Sequence, residues 1–267
     1  MLHVEVSDLY KKRYSMLWSV LSFKAGMINT AGFLIAGSYV SHVTGFGTQA
    51  GIALGHHDFS FGLELLVIPI AFISGGVITS LLLDKNYDKK NIPNYPLVQF
   101  LITFLLGLIS LFFYFEIVDE KTIANSHENS IITIGLLCLI CGLKNGLTTW
   151  ASHGKIRTTH LTGLSTDIGL HLPKMFYRKD KAINFRYPES TRVNYVRLIT
   201  LVSFSIGAFI AALLIPFIGF KIFYLIFFIS FVLFSISLLH RRHVMNQRHG
   251  IPKNNLQLGG QSKSLIV

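Results

Sequence analysis

The chain alternates long apolar runs with short polar segments, and six of the runs have the length of a membrane-spanning helix. The runs are continuous and do not alternate residue by residue, as a half-buried β-strand would, so each is predicted to be helical. About 20 apolar residues in a helix cross a bilayer and satisfy their own backbone hydrogen bonds there. The predicted spans are Leu17–Val40, Phe61–Leu83, Leu97–Val118, Ile131–Ala151, Val196–Ile218 and Ile222–Leu239.

Composition supports a membrane protein over a soluble one. Of the 267 residues, 51% are hydrophobic and only 14% are charged, whereas a soluble domain carries about 25% charged residues. A soluble bundle of this size would lack the charged residues needed to coat its surface. We therefore predict an integral membrane protein and reject the alternative of a soluble helical bundle.

The positive charge is distributed by loop. Of the 24 Lys and Arg residues, 20 lie in the N-terminal segment, the second and fourth loops between spans, the start of the fifth span and the C-terminal tail. The first, third and fifth loops hold only Lys121 and Lys221. Because cytoplasmic loops are enriched in Lys and Arg, both termini are predicted to be cytoplasmic. The net charge of +11 therefore reflects the basic cytoplasmic loops of a protein whose partner is the lipid bilayer. A nucleic-acid partner is not expected.

One motif occurs twice. His42–Gly51 reads HVTGFGTQAG and His160–Gly169 reads HLTGLSTDIG, so both have the form H-x-T-G-x-x-T-x-x-G at an offset of 118 residues. Upstream, Gly26–Asn29 and Gly142–Asn145 share the form G-x-x-N at an offset of 116. The agreement at fixed positions indicates an internal repeat.

Each half of the chain would contain three spans, so the second half must enter the membrane from the opposite side. This arrangement is the inverted repeat typical of secondary transporters, whose sites lie near the midplane between the halves. We predict an all-α membrane protein of six transmembrane helices, built as two inverted three-helix repeats with interrupted first helices. It forms one membrane domain over residues 1–267, with repeat 1 at 14–130, repeat 2 at 131–239 and a disordered cytoplasmic tail at 240–267.

The Thr-Gly motifs favour helix starts inside the membrane. A helix N-terminus offers free amides and partial positive charge to an anion. The alternative is an ordinary polar loop with a helix cap. Close helix packing is predicted where small residues cluster, at Ser74–Gly76 and along Ser203, Gly207 and Ala211.

Polar residues inside the spans are candidate site residues. Asn29 and Asn145 lie near the middle of their helices, where the alternative role is hydrogen bonding between helices. Lys144 is predicted to be deep, whereas Lys24 is expected to extend its ammonium group to the cytoplasmic interface. The candidate solute-binding residues are Asn29, His42, Thr44, Thr48, Lys144, Asn145, His160, Thr162, Thr166 and Asp167.

The sequence leaves the roles of the motif aspartate, the motif histidines and the two cysteines open. Asp167 occupies the position of Gln49 in the first motif, and it caps a helix, pairs with Arg157 or titrates with a coupling proton. The motif histidines cap, bind or shuttle protons, or are neutral structural residues. Cys138 and Cys141 form C-x-x-C within one span, where two small buried residues are favoured over a redox pair. No metal or other cofactor is predicted.

The repeat motifs resemble those of the YoaK-like family of bacterial integral membrane proteins. The first signature lies in Gly26–Gly51 and the second, which is the closer match, in Gly142–Gly169. The resemblance spans about residues 15 to 240 and implies a bacterial inner membrane and a domain of unknown function that is sometimes labelled a small-molecule transporter. The chain departs from the family pattern with Asn29 for Asp, Phe46 for Asn and Lys144 for Gln, and the first change argues against proton coupling at that position.

We therefore expect a secondary transporter or channel for a small, anionic solute, bound between the two halves. The alternatives are an intramembrane enzyme and a non-transporting subunit or scaffold. No catalytic motif such as H-E-x-x-H or G-x-S-x-G occurs, so the chain is predicted not to be an enzyme. The sequence leaves open whether the chain forms a homo-oligomer.

Overall fold

A computed structural model describes residues 12–36, 39–87, 93–115, 127–156, 158–176 and 188–249. This part of the chain is α-helical and contains no β-strand. A 3₁₀ turn, Gly219–Lys221, joins the last two helices. The helices are α1 (Lys12–Ala36), α2 (Val43–Gly55), α3 (Phe59–Tyr87), α4 (Tyr95–Tyr114), α5 (His127–Ala151), α6 (Leu161–Phe176), α7 (Pro188–Ile218) and α8 (Ile222–His249).

Four stretches of the described helices are long and apolar enough to cross a membrane. They are Phe59–Asp84, Tyr95–Tyr114, Ile132–Ala151 and Val193–Asn246, the last being 54 residues long and covering most of α7 and α8. The four stretches overlap the second to sixth predicted spans. The first predicted span, which lies in α1, is not among them. The prediction of a membrane-like helical protein is confirmed at this level.

The outer faces of the long helices are apolar. On α3 the side chains of Leu63, Val67 and Ile70 are exposed, and on α7 those of Phe209 and Leu213 are exposed. Water-soluble monomers rarely expose continuous apolar surface of this extent. These faces are suited to contact with lipid chains.

The helices pack in matching pairs. Helix α1 packs against α7 and helix α5 packs against α3, while α2 lies on α3, α6 lies on α7, and α4 packs against α8. If α1–α4 are exchanged in order with α5–α8, the same set of packed pairs results. Helices α3 and α5 run parallel. Gly142 of α5 lies at Phe72 of α3, and further along both helices Trp150 of α5 lies at Asp84 of α3.

Glycines set the closest helix approaches. A Cβ atom on Gly26 of α1 would collide with the Phe204 carbonyl oxygen and lie 2.8 Å from the Ala208 nitrogen, both in α7. A Cβ atom on Gly142 of α5 would collide with the Phe72 carbonyl oxygen of α3. Because these obstacles are backbone atoms, only glycine permits the approach. The contacts of Gly75 and Gly207 confirm the close packing predicted from small residues.

The short helices α2 and α6 contain the two repeated motifs. They have 13 and 16 residues and are therefore about 20 and 24 Å long, less than the roughly 30 Å of a bilayer core. Each follows a break after the first long helix of its half. The predicted interruption is present, since α1 ends at Ala36 and α2 begins at Val43, and α5 ends at Ala151 and α6 begins at Leu161.

Candidate functional site

A buried hydrogen-bond network joins α1, α4 and α8 at Ser230. The Lys24 side chain is 0% exposed, and its Nζ donates to Ser230 Oγ at 3.0 Å. Gln99 Nε2 donates to the same oxygen at 3.1 Å, and Thr103 Oγ1 donates to the Ser230 carbonyl oxygen at 3.2 Å. The expectation that Lys24 reaches the interface is wrong, because its side chain is fully buried and its amino group bonds to Ser230 of α8.

A second buried lysine lies nearby on α5. Lys144 is 0% exposed, and its Nζ has no hydrogen-bond partner in the described part of the chain. Its charge interacts with that of Lys24, and Cys141, one turn earlier on α5, interacts electrostatically with both lysines. Lys24, Lys144 and Cys141 are called the lysine centre below. Lys144 is therefore buried within the protein, and its depth in the membrane stays a prediction.

The lysine centre has an unusual charge balance. Among the described residues no carboxylate pairs with either ammonium group; the ion pair found there is Asp167 with Arg197. Burying an unpaired charge costs several kcal/mol in the effective estimate for proteins. Two buried lysines without a carboxylate partner are therefore suited to an anionic partner, or to a neutral amine form.

The two motif asparagines differ in their contacts. Asn29 Oδ1 accepts hydrogen bonds from the backbone nitrogen of Ser41 at 3.1 Å and from its Oγ at 2.8 Å, which holds the connection between α1 and α2. Asn145 Oδ1 is buried without a partner among the described residues. The first asparagine therefore has a structural role here, and the second has an unused acceptor.

The start of α2 lies deep in the fold. Cys138 Sγ, near the middle of α5, donates to the Val40 carbonyl oxygen at 3.1 Å, and Val40 also packs at Gly32. The adjacent Ser41 contacts Asn29, which is also well inside its helix. Both contacts place the residues just before α2 beside the middle of α5 and beside the last two turns of α1. Cys138 and Cys141 are free thiols.

The motif residues build the helix starts in the same way in both halves. The His42 ring lies over Gly45, where Nδ1 would be 2.9 Å from an added Cβ, and the His160 ring lies over Gly163 at 2.6 Å. The spacing H-x-x-G therefore has a steric cause. The second threonine of each motif bonds to the carbonyl oxygen of the first, from Thr48 to Thr44 and from Thr166 to Thr162, each at 3.0 Å. The motif histidines and threonines are exposed.

The second motif borders a polar cavity of about 240 Å³. Asp167 forms an ion pair with Arg197 of α7 at 2.8 Å, which is one of the roles left open for it, with Arg197 in place of Arg157. Arg157 lies outside the described residues. The cavity is lined by Gly154, Lys155, His160, Gly163, Leu164 and Asp167.

The predicted site residues do not converge on this cavity. No residue of the first motif lines it, and neither do Asn29, Lys144 or Asn145. The sequence also missed Gln99, Thr103 and Ser230, although polar side chains within apolar runs were a signal for them. Among the described residues, no group of three or more His, Cys, Asp or Glu side chains could hold a metal ion.

Comparison with known proteins gives one match. The profile of a family described as "Protein of unknown function (DUF1275)" matches residues 17–236. No curated protein and no solved structure matches the chain. The family match confirms the resemblance that the repeat motifs indicated.

Proposed function

Because the chain belongs to the DUF1275 family of unknown function, we propose from its own residues that it is a six-span inner-membrane transporter or channel for a small anionic solute. In this proposal the two halves are inverted repeats and both termini are cytoplasmic. The solute binds at the lysine centre between the halves. The single observation that carries the proposal is the pair of buried lysines, Lys24 and Lys144, which no described carboxylate neutralises.

The matching helix pairs support the inverted repeat. Helices α1 and α7 contact through Gly26 and Gly207, and α5 and α3 contact through Gly142 and Gly75, so the same kind of contact occurs twice with the halves exchanged. Helices α3 and α5 would be the second and fourth of six alternating spans, and their parallel packing agrees with that order. Three spans per half then require opposite orientations.

The short helices suit a carrier. Helices α2 and α6 are too short to cross the bilayer, and the connection before α2 contacts the middle of α5. Irregular backbone at that depth is tolerated where it is packed against protein or lines an aqueous cavity. In transporters the positive ends of such discontinuous helices face anionic groups of the substrate.

The lysine centre supplies the electrostatic selectivity of the proposed site. Lys24 is held by Ser230, whereas the Lys144 ammonium keeps all its donors unused. An anion that reaches Lys144 would accept these hydrogen bonds. The charge-assisted bonds would offset the cost of burying the ammonium group. A cation would meet two like charges there.

Flux of anions into proteoliposomes tests the proposal. Purified protein is reconstituted, and uptake of a panel of labelled inorganic and carboxylate anions is compared with protein-free vesicles. We expect saturable uptake of at least one anion, and a loss of at least tenfold in Lys144→Met. The matched control is Lys221→Met, which removes an exposed lysine near the 3₁₀ turn and should leave uptake unchanged.

The same experiment separates the alternatives. An intramembrane enzyme or a scaffold subunit would give no saturable flux of any anion. If flux is present but equal in the Lys144→Met and wild-type proteins, with both monodisperse in detergent, the lysine centre is not the site.

A further inference from the structure

The two connections between long and short helices are in different hydrogen-bonding states. The first connection, between α1 and α2, is held by two bonded residue pairs: Ser41 donates twice to Asn29, and Cys138 donates to Val40. These two residue pairs are called the first bond pair. Each links a helix interior to the backbone or side chain just before the motif helix.

The repeat assigns a counterpart to each of these four residues. The offset of 116 relates Asn29 to Asn145 and Ser22 to Cys138, and the offset of 118 relates the first connection to the second, between α5 and α6. The second bond pair would therefore be Asn145 with Thr159, and Ser22 with Thr158.

All four residues of the second bond pair have unused polar atoms. Ser22 Oγ, Asn145 Oδ1, Thr158 Oγ1 and Thr159 Oγ1 are buried and have no hydrogen-bond partner in the part of the chain that the structure describes. A buried polar atom without a partner costs about 1–3 kcal/mol, and such atoms are rare in native proteins. Three of these atoms, on Ser22, Asn145 and Thr159, are the counterparts of bonded side-chain atoms in the first bond pair, whereas Thr158 replaces Val40, which accepts through its backbone carbonyl. The coincidence of the three with a satisfied set indicates one cause for them.

We propose that the two bond pairs form alternately: in this conformation the first pair is formed and the second is not, and in a second conformation the bonding is reversed. The second connection is held meanwhile by Ser152, whose Oγ bonds to the backbone of Ile156. This inference rests on the proposed function, because it describes how a transporter of two inverted halves would exchange its open side. The unsatisfied atoms of Ser22, Asn145 and Thr159 are the cost of the present conformation, and their bonding in the other conformation offsets the loss of the first bond pair. Two conformations of nearly equal free energy follow.

The residue chemistry of the two pairs is matched. Asn29 and Asn145 are the same residue, Ser41 and Thr159 both carry a hydroxyl, and Ser22 and Cys138 are both small donors. The exchange therefore replaces one set of bonds with a similar set.

Disulfide trapping in proteoliposomes tests the exchange without any solute. The background is Cys138→Ser/Cys141→Ala, in which Ser keeps a hydroxyl donor toward Val40. Two double variants place cysteines at the bonded positions, Asn29→Cys/Ser41→Cys and Asn145→Cys/Thr159→Cys. We expect copper phenanthroline to form an intramolecular disulfide in both, detected by peptide mass. The mixed variant Asn29→Cys/Thr159→Cys is the matched control and should form none.

A four-cysteine variant, with both pairs in one chain, tests whether the bond pairs exclude each other. After oxidation and alkylation, intact mass should show molecules with one disulfide and two alkylated thiols. Molecules with both disulfides, or molecules in which only the 29–41 disulfide ever forms, would overturn the proposal.

Two milder substitutions test the exchange through a change of rate, which misfolding of the cysteine variants would not imitate. Ser41→Ala weakens the first bond pair and should raise the rate of the 145–159 disulfide about fivefold, the effect of one lost hydrogen bond. Thr159→Val should raise the rate of the 29–41 disulfide by a similar factor. Unchanged rates in both would contradict the exchange. If the two disulfides exclude each other in a protein that shows no anion flux, the exchange is retained and the proposed function is rejected.

Discussion

The contact between α3 and α5 predicts a large difference between two adjacent glycines. An added Cβ on Gly75 would collide with the Leu139 carbonyl oxygen and lie 2.6 Å from the Leu143 nitrogen, whereas an added Cβ on Gly76 meets no atom within 4 Å. Both residues lie in α3, so their helix propensities are the same. Gly75→Ala and Gly76→Ala therefore compare one methyl group inside the helix contact with one outside it.

The magnitude follows from the separation that the methyl group requires. To bring its distance from the Leu143 nitrogen to an ordinary contact, the two helices must part by nearly 1 Å, and such a gap forfeits about a quarter to a half of each dispersion contact. Overpacking of this kind costs about 1–3 kcal/mol. Gly76→Ala should be neutral or stabilising by up to about 1 kcal/mol, because alanine favours the helix.

Reversible unfolding in mixed detergent micelles measures the difference. Trp150 is a suitable probe, since its Nε1 donates to Asp84 of α3 at 2.6 Å and its fluorescence should change when α3 and α5 separate. We expect Gly75→Ala to unfold at a lower denaturant fraction than wild type, and Gly76→Ala at the same or a higher one. Equal unfolding of the two variants would refute the close backbone contact and the helix pairing that depends on it.

Three further predictions address the polar residues and the topology. Ser230→Ala leaves the Lys24 amino group without its partner, while Gln99 and Thr103 keep the Ser230 carbonyl oxygen, and it should lower the free energy of unfolding by about 1–3 kcal/mol. Ser235→Ala, on the same helix, should change it by less than about 0.5 kcal/mol; equal effects in unfolding titrations would contradict the network. The ion pair of Asp167 and Arg197 has side chains 45% and 11% exposed, so Asp167→Asn should cost no more than about 1 kcal/mol; a larger loss in the same titration would show that the pair is effectively buried. Reporter fusions at Val267 and in the third loop should report the cytoplasm and the periplasm respectively; a periplasmic C-terminus would reject the inverted repeat.

The long helices could be predicted from sequence because their signal is local. The predicted spans ending at Ala151 and Ile218 end at the residues where α5 and α7 end. The breaks after the first helix of each half were also predicted, since the Thr-Gly motifs mark them. The steric role of the motif histidines over Gly45 and Gly163 was not, because H-x-x-G is equally compatible with a cap, a ligand or a proton carrier.

The lysine centre could be predicted only in part, because its partners are distant in the sequence. The burial of Lys144 follows from its position in a span, but that of Lys24 depends on α4 and α8. Its distance from the end of α1 indicated an ammonium group at the interface, whereas tertiary packing brings Ser230 to it. Periodicity within one helix carries no information about which other helix covers it.

The bond between Lys24 and Ser230 has a consequence for biosynthesis. The two residues are separated by 206 positions, so at about 5–20 residues per second the ribosome makes Ser230 roughly 10–40 s after Lys24. During that interval Lys24 of α1 lacks the helix that supplies its partner, and a central lysine costs about 2.5–3.5 kcal/mol on insertion. We therefore expect α1 to remain at the translocon or near the membrane surface until α8 emerges, so that insertion of the first helix is completed by synthesis of the last.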